Sequence, residues 1–289
     1  MLKILKAIVY IASFLVNIST RFLKVKKNRV VFISYFMNTP EGNFKAIADE
    51  LEKSDYEIIF LLKKYNKTNL NKISSFFSMI KQAFYFNTAK VIILDGNSVV
   101  MKAIVRKRNT FVIQIWHASG ALKKFGNDAS QRLYGIRSCD YAFVSSKKVT
   151  GIYSRALSIP EDRILPIGSP RTDSLFCEEK VNLYKSNIHE KYSIHKNNKV
   201  VLFAPTFRGK GVDDSKDLEI DIARLSKKLP KGFVLAVRLH PMISSSFVSD
   251  EAINFSDEDL IEVLSTADIL ISDYSSIFFE YSILNRPMI

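Results

Sequence analysis

Past its first 27 residues the chain alternates short apolar runs with segments whose apolar positions recur at helical spacing. The runs at 30–35, 58–62, 91–94, 111–116, 141–144 and 164–167 are short and bounded, so they predict strands, while 44–51 and 76–86 predict intervening helices. This alternation predicts parallel strands joined by helical crossovers, a doubly wound α/β sheet. Between 177 and 198 the chain turns polar and helical with no strand pattern, and the alternation resumes at 199–204, 233–239 and 269–271. The pattern therefore predicts two similar α/β domains, 28–176 and 199–289, joined by a linker over 177–198. No internal repeat or heptad pattern interrupts this reading.

Residues 7–18 are apolar except for Ser13 and Asn17, and are flanked by Lys3, Lys6, Arg21, Lys24, Lys26 and Lys27. A spanning helix needs about 20 apolar residues, so this run is too short to cross a bilayer. Residues 1–27 instead predict an amphipathic helix lying on an anionic membrane, with lysines reaching to the headgroups. A buried first helix and a secretory signal are the rivals, and a convincing small-x-small cleavage site before Arg21 is missing.

A chain of 289 residues with 47% hydrophobic content can fill two medium cores, which excludes disordered and fibrous classes. The net charge of +13 is uneven: residues 1–130 carry 21 Lys+Arg against 8 Asp+Glu, and the remainder balances at 21 each. Such a basic region suits an anionic partner, whether nucleic acid, an acidic membrane or a phosphorylated polymer, or else it is a solvated surface. A nucleic-acid reading predicts aromatic platforms among the lysines or a recognition motif, and the sequence has neither, so no nucleic-acid partner is expected. Only Cys139 and Cys177 occur, without disulfide or metal spacing, which fits a reducing cytoplasm.

Open α/β sheets bind ligands at the carboxyl ends of their strands. Five predicted strand ends carry distinctive residues: Trp116-His117-Ala118-Ser119-Gly120, Gly168-Ser169-Pro170-Arg171, Ala204-Pro205-Thr206-Phe207-Arg208, Arg238-Leu239-His240-Pro241 and Ser272-Asp273-Tyr274-Ser275-Ser276. The last joins a buried strand directly to a helix that Ser275 or Ser276 can cap, leaving backbone N–H groups and the positive dipole end to meet a phosphate. Read blandly, it is only an N-cap. His117, with an ordinary pKa of about 6.5, suits a general base or a satisfied polar residue at a core edge. His240 is kept out of helical geometry by Pro241, and with Arg238 on the same strand face it makes a donor pair for phosphate oxygens. Arg171 and Arg208 add planar donor forks or surface ion pairs. Glu280, one turn inside the helix, suits hydroxyls better than phosphate. The sequence lacks a nucleophile elbow, a zinc signature and a complete phosphate-binding loop, so neither metal nor cofactor is expected.

These motifs resemble the CDP-glycerol:poly(glycerophosphate) glycerophosphotransferase family of teichoic acid primases and polymerases. They are W-H-A-x-G-A-x-K-K-F-G over 116–126, P-R-T-D over 170–173, A-P-T-F-R over 204–208, R-L-H-P over 238–241 and D-Y-S-S-I-F-F-E-Y over 273–281, in the family's order. The resemblance implies a GT-B-like architecture, two doubly wound parallel-sheet domains facing a cleft, with an acceptor-side domain at 28–176 and a CDP-glycerol domain at 199–289. It implies transfer of glycerol phosphate from CDP-glycerol to a hydroxyl of a lipid-linked or poly(glycerol phosphate) acceptor, releasing CMP, at the cytoplasmic face of the membrane. Within it His117 is the base and His240 a second catalytic group. Arg171, Pro205, Thr206, Arg238, Ser275, Ser276 and Glu280 surround the donor, and Trp116, Ser119, Gly120, Arg208 and Leu239 complete the substrate-binding set. The family pattern continues beyond Ile289, so the second domain is expected to be cut short, in a fragment or an inactive remnant. A GT-B glycosyltransferase using a nucleotide sugar would share the same features.

Overall fold

The computed structural model describes residues 2–64, 69–96, 98–116, 119–122, 124–129, 139–206, 221–239, 248 and 250–289. The chain divides into two compact units, Met1–Pro170 and Arg171–Ile289.

The first unit holds strands β1 (Lys26–Ser34), β2 (Glu57–Leu62), β3 (Ala89–Leu94), β4 (Phe111–Ile115), β5 (Tyr141–Phe143) and β6 (Ile164–Leu165). They form one parallel sheet in the order β2-β1-β3-β4-β5-β6. Its helices are α1 (Leu2–Ser19), α2 (Gly42–Leu51), α3 (Asn69–Thr88) and α4 (Thr150–Leu157). Successive strand residues point to opposite faces, so Val30, Phe32 and Ile93 pack on Phe44 and Ala48 of α2. Val31, Ile33, Ile92 and Leu94 face the other way, onto Ala83 and Phe86 of α3 and Tyr153 and Leu157 of α4. The crossovers thus cover both faces. The chain goes from β1 outward to β2, then returns to β3 on the far side of β1, which places the switch point between β1 and β3.

In the second unit β7 (Lys199–Ala204), β8 (Phe233–Val237), β9 (Ile253–Asn254) and β10 (Ile269–Ser272) run parallel in the order β10-β7-β8-β9. Its helices are α5 (Glu178–Lys191), α6 (Ile222–Lys228), α7 (Leu260–Thr266) and α8 (Ile277–Tyr281). Ile222 of α6 joins Val201, Phe203 and Leu235 on one face; Val263 and Leu264 of α7 join Val200, Leu202 and Ala236 on the other. Here the switch point lies between β7 and β10. Residues 287–289 continue the ladder beside β10, with Ile289 N–H donating to the Leu270 carbonyl at 2.8 Å.

The segment expected as a linker is α5, and it packs rather than bridges. Val181 and Ile188 are buried in the second unit, and the boundary falls earlier, after Pro170. Its polar composition is that of a surface helix, since apart from Val181, Ile188 and His189 its length faces solvent or is half-buried.

Helix α1 inverts the usual amphipathic arrangement. Val9, Ser13 and Asn17, spaced four apart, are buried against the first unit, where Asn17 Oδ1 accepts the Val105 N–H at 3.0 Å. Ile8, Ile11, Leu15 and Ile18 face outward, Ile11 and Leu15 being 61% and 60% exposed. Among the described residues no helix is long and apolar enough to cross a membrane.

Candidate active site

The second unit's switch point is cross-linked by side chains at its strand ends. Thr206, two residues past β7, donates its backbone N–H to Asp273 Oδ1 and its hydroxyl to Asp273 Oδ2, both at 2.8 Å. Ser272 donates to the Ala204 carbonyl at 2.5 Å, which ties the same two strands one step earlier. Pro205 between these ties has a fixed φ and no N–H to donate, so the loop enters the site with few alternatives.

The turn that follows β10 departs from the expected cap. Ser276 occupies the N-cap position but makes no side-chain capping bond, and the Ile277 N–H reaches Ser275 Oγ at 3.4 Å. Helix α8 spans five residues before a 3-10 turn over Ser282–Leu284, so a macrodipole contributes little. The polar groups around this turn are hydroxyls and nearby guanidiniums.

Those guanidiniums converge around Glu280. Arg171 donates Nε to Glu280 Oε1 at 2.9 Å, and its Nη2 contacts the same oxygen. The Arg171 side chain is 16% exposed and that of Glu280 1%, which makes a buried, charge-assisted pair. Glu280 therefore anchors an arginine, a contact that sequence spacing did not suggest. Arg238, one residue past β8, donates Nη2 to the Glu258 carbonyl at 3.1 Å. Its Nε is buried and meets no hydrogen-bond partner among the described residues. Burial lowers the Arg238 pKa, Asp259 opposes that shift, and Arg171 adds to it. Leu239 turns its side chain into the core and ties its N–H to Ser256 Oγ at 3.1 Å, so it borders the site with backbone only.

In the first unit Trp116 stacks on Phe125 at 5.2 Å between ring centroids, and Phe125 packs on Tyr153 at 4.9 Å. The Tyr153 hydroxyl donates to the Gly120 carbonyl at 3.4 Å, and Ser145 donates to the Ser119 carbonyl. Trp116, Ser119 and Gly120 thereby brace the loop after β4. A cleft of about 440 Å³ opens beside it, lined by Leu122, Lys124, Phe125 and Ile152, with the Asp128–Arg155 ion pair at its side. His117, Arg208 and His240 lie outside the described residues.

Asp95 escaped the sequence reading, and Asp273, named within its strand-end segment, was given no role there. Asp273 follows the run I-L-I-S, and Asp95 follows V-I-I-L, each just past a buried strand at a switch point. An acid directly after an apolar run was the available signal.

Two doubly wound parallel units in one chain make the fold GT-B-like. The wall teichoic acid polymerase TagF has this fold too, with a TM-score of 0.75 at 23% identity, over 97% of this chain and 74% of that one. The chain belongs to the CDP-glycerol:poly(glycerophosphate) glycerophosphotransferase family, whose model matches residues 15–289. It is 32% identical over 288 residues to the teichoic acid glycerol-phosphate primase of Bacillus subtilis, covering 86% of this chain and 71% of the primase. It is 31% identical over 284 residues to the teichoic acid poly(ribitol-phosphate) polymerase of Bacillus spizizenii, covering 93% of this chain. The chain spans about half of that polymerase, 46% of its length.

Proposed function

We propose that this protein transfers glycerol phosphate from CDP-glycerol to a hydroxyl of a lipid-linked or poly(glycerol phosphate) acceptor, releasing CMP, in the synthesis of teichoic acid or a related surface polymer. The observation that carries this reading is the pairing of Arg171 with Glu280 close enough to influence Arg238, together with the Thr206–Asp273 clamp across the second unit's strand ends, in a chain of this family. A diphosphate needs planar cationic donors and held hydroxyls, and this strand-end cluster supplies both.

In the proposed reaction the acceptor hydroxyl oxygen attacks the phosphorus that bears glycerol. A new P–O bond forms, the P–O bond to the bridging oxygen breaks, and CMP leaves with the electron pair. His117 takes the hydroxyl proton. Arg238, His240 and the Ser275-Ser276 turn hold the diphosphate as charge moves onto CMP, and Arg171, fixed by Glu280, orients it. Neither metal nor redox partner enters this balance.

The outward apolar stripe of α1 supports peripheral attachment at the cytoplasmic membrane face, with the basic first unit held beside anionic lipid and polymer. Calorimetric titration tests the donor assignment. CDP-glycerol should bind, with UDP-sugars at least about tenfold weaker, the loss expected when hydrogen-bonding groups are mismatched. Equal or stronger binding of a UDP-sugar would overturn the assignment in favour of a glycosyltransferase.

A further inference from the structure

The first unit carries, at its own switch point, a polar cluster that the proposed chemistry leaves unused. Ser34, the last residue of β1, donates its hydroxyl to Asp95 Oδ2 at 2.6 Å across to the end of β3. Beside them the Tyr35 hydroxyl donates to Gln82 Oε1 at 2.8 Å, and Ser98 and Asp95 lie close enough to influence the Tyr35 ionisation. Asp95 is 7% exposed, and Ser98 and Gln82 are fully buried.

This cluster holds more hydrogen-bonding capacity than it uses. Gln82 Nε2 is buried and has no hydrogen-bond partner among the described residues, and the buried Ser98 Oγ has only the Tyr35 hydroxyl beside it. Asp95 is buried, and among the described residues no cation influences it; burial pushes its carboxyl up to about 6, opposed there by the Ser34 hydroxyl and its own backbone N–H. A carboxylate placed this way costs stability, and an asparagine would accept the Ser34 hydroxyl equally well. The Gln114 amide, oriented to donate to the Gly96 carbonyl at 3.2 Å and accept its N–H at 3.1 Å, fixes the backbone next to Asp95. The exposed Phe36 ring rests on Gly96, where a Cβ would meet it at 2.6 Å, so a side chain outside the core covers the backbone next to Asp95.

We infer that the polar cluster between the β1 and β3 ends is a polyol site, in which Asp95 accepts a hydrogen bond from a hydroxyl of the glycerol phosphate acceptor and Ser98 bonds a neighbouring oxygen. The inference rests on the transferase reading for the identity of the polyol. Its geometry is independent of that reading: in open α/β sheets the switch point is where ligands enter. The second unit repeats the device, with Thr206 and Asp273 across its own switch point.

The test uses the full chain, a synthetic tri(glycerol phosphate) as acceptor probe and CDP-glycerol as donor, each titrated by calorimetry into wild type, Asp95→Asn and Ser98→Ala. Asp95→Asn should weaken the tri(glycerol phosphate) by about tenfold or more, as expected for loss of a hydrogen bond to a charged group, with CDP-glycerol affinity unchanged. Ser98→Ala should weaken the same probe less. Thermal unfolding at pH 7 should show Asp95→Asn no less stable than wild type, which a merely structural aspartate would not allow. Acceptor binding indifferent to Asp95, or absent from wild type, overturns the site; loss of stability together with both affinities overturns it as well. Failure of wild type to bind CDP-glycerol in the same series would instead count against the transferase reading.

Discussion

Asp273, one residue past β10, takes both the N–H and the hydroxyl of Thr206, two residues past β7, each at 2.8 Å. One carboxylate thus sets the spacing of the two loops that flank the second unit's switch point. Bonds to a charged group are worth about 1.5–3 kcal/mol each, enough to choose one loop conformation over its neighbours. Asp273→Ala should weaken CDP-glycerol binding by about ten- to a hundredfold. Asp273→Asn, which keeps one acceptor oxygen, should lose less. Equal affinity of wild type and Asp273→Ala in calorimetry would show that the clamp does not shape the donor site.

The Arg171–Glu280 pair makes a different prediction, because Glu280 is buried. Arg171→Met strands a buried carboxylate and should cost about 3–5 kcal/mol in denaturant unfolding. Adding Glu280→Leu should recover most of that stability without restoring CDP-glycerol binding. Recovery of binding in the double variant would remove Arg171 from the donor site.

His189 provides a stability signature in pH. It is buried on α5, and desolvation first, then the charge of Lys185, lowers its pKa below the ordinary 6.5, with Asp268 opposing. A lowered folded pKa means that the unfolded chain binds the proton more readily. The contribution is therefore fully present above about 6.5 and is lost as pH falls below it. His189→Gln should flatten the thermal midpoint between pH 7 and pH 5 relative to wild type. An unchanged pH slope would place the acid sensitivity elsewhere.

Membrane attachment is best tested without deleting α1, since Ser13 and Asn17 on its inner face are buried in the first unit. Ile11→Glu with Leu15→Glu changes two outward residues and should leave the fold intact. Each buried apolar side chain contributes about 1.5–3 kcal/mol, so the pair should strongly reduce sedimentation with anionic vesicles. Undiminished sedimentation would take the apolar stripe out of the account.

Much of this architecture was legible in the sequence because strands covered on both faces are apolar over their whole length. The runs leading to Leu62, Leu94 and Ala204 end within a residue of the observed strands. Strand β9 was not legible, being two residues long, Ile253–Asn254, with no run to detect. Helices α6 and α7 went unremarked although Asp221 and Asp259 cap them, because each is only seven residues long. Helix α5 read as a linker because few of its positions are buried. At the site, the motif residues were legible one by one and their partners were not. Arg171 and Glu280 stand 109 positions apart, and only the folded unit joins them.

The most direct measurement is CMP release by the purified chain supplied with CDP-glycerol and a membrane fraction as acceptor, with UDP-sugars as parallel donors. The account predicts release from CDP-glycerol alone, abolished by His117→Ala while that variant still binds CDP-glycerol. Release from a UDP-sugar instead, or turnover that survives His117→Ala, would contradict it.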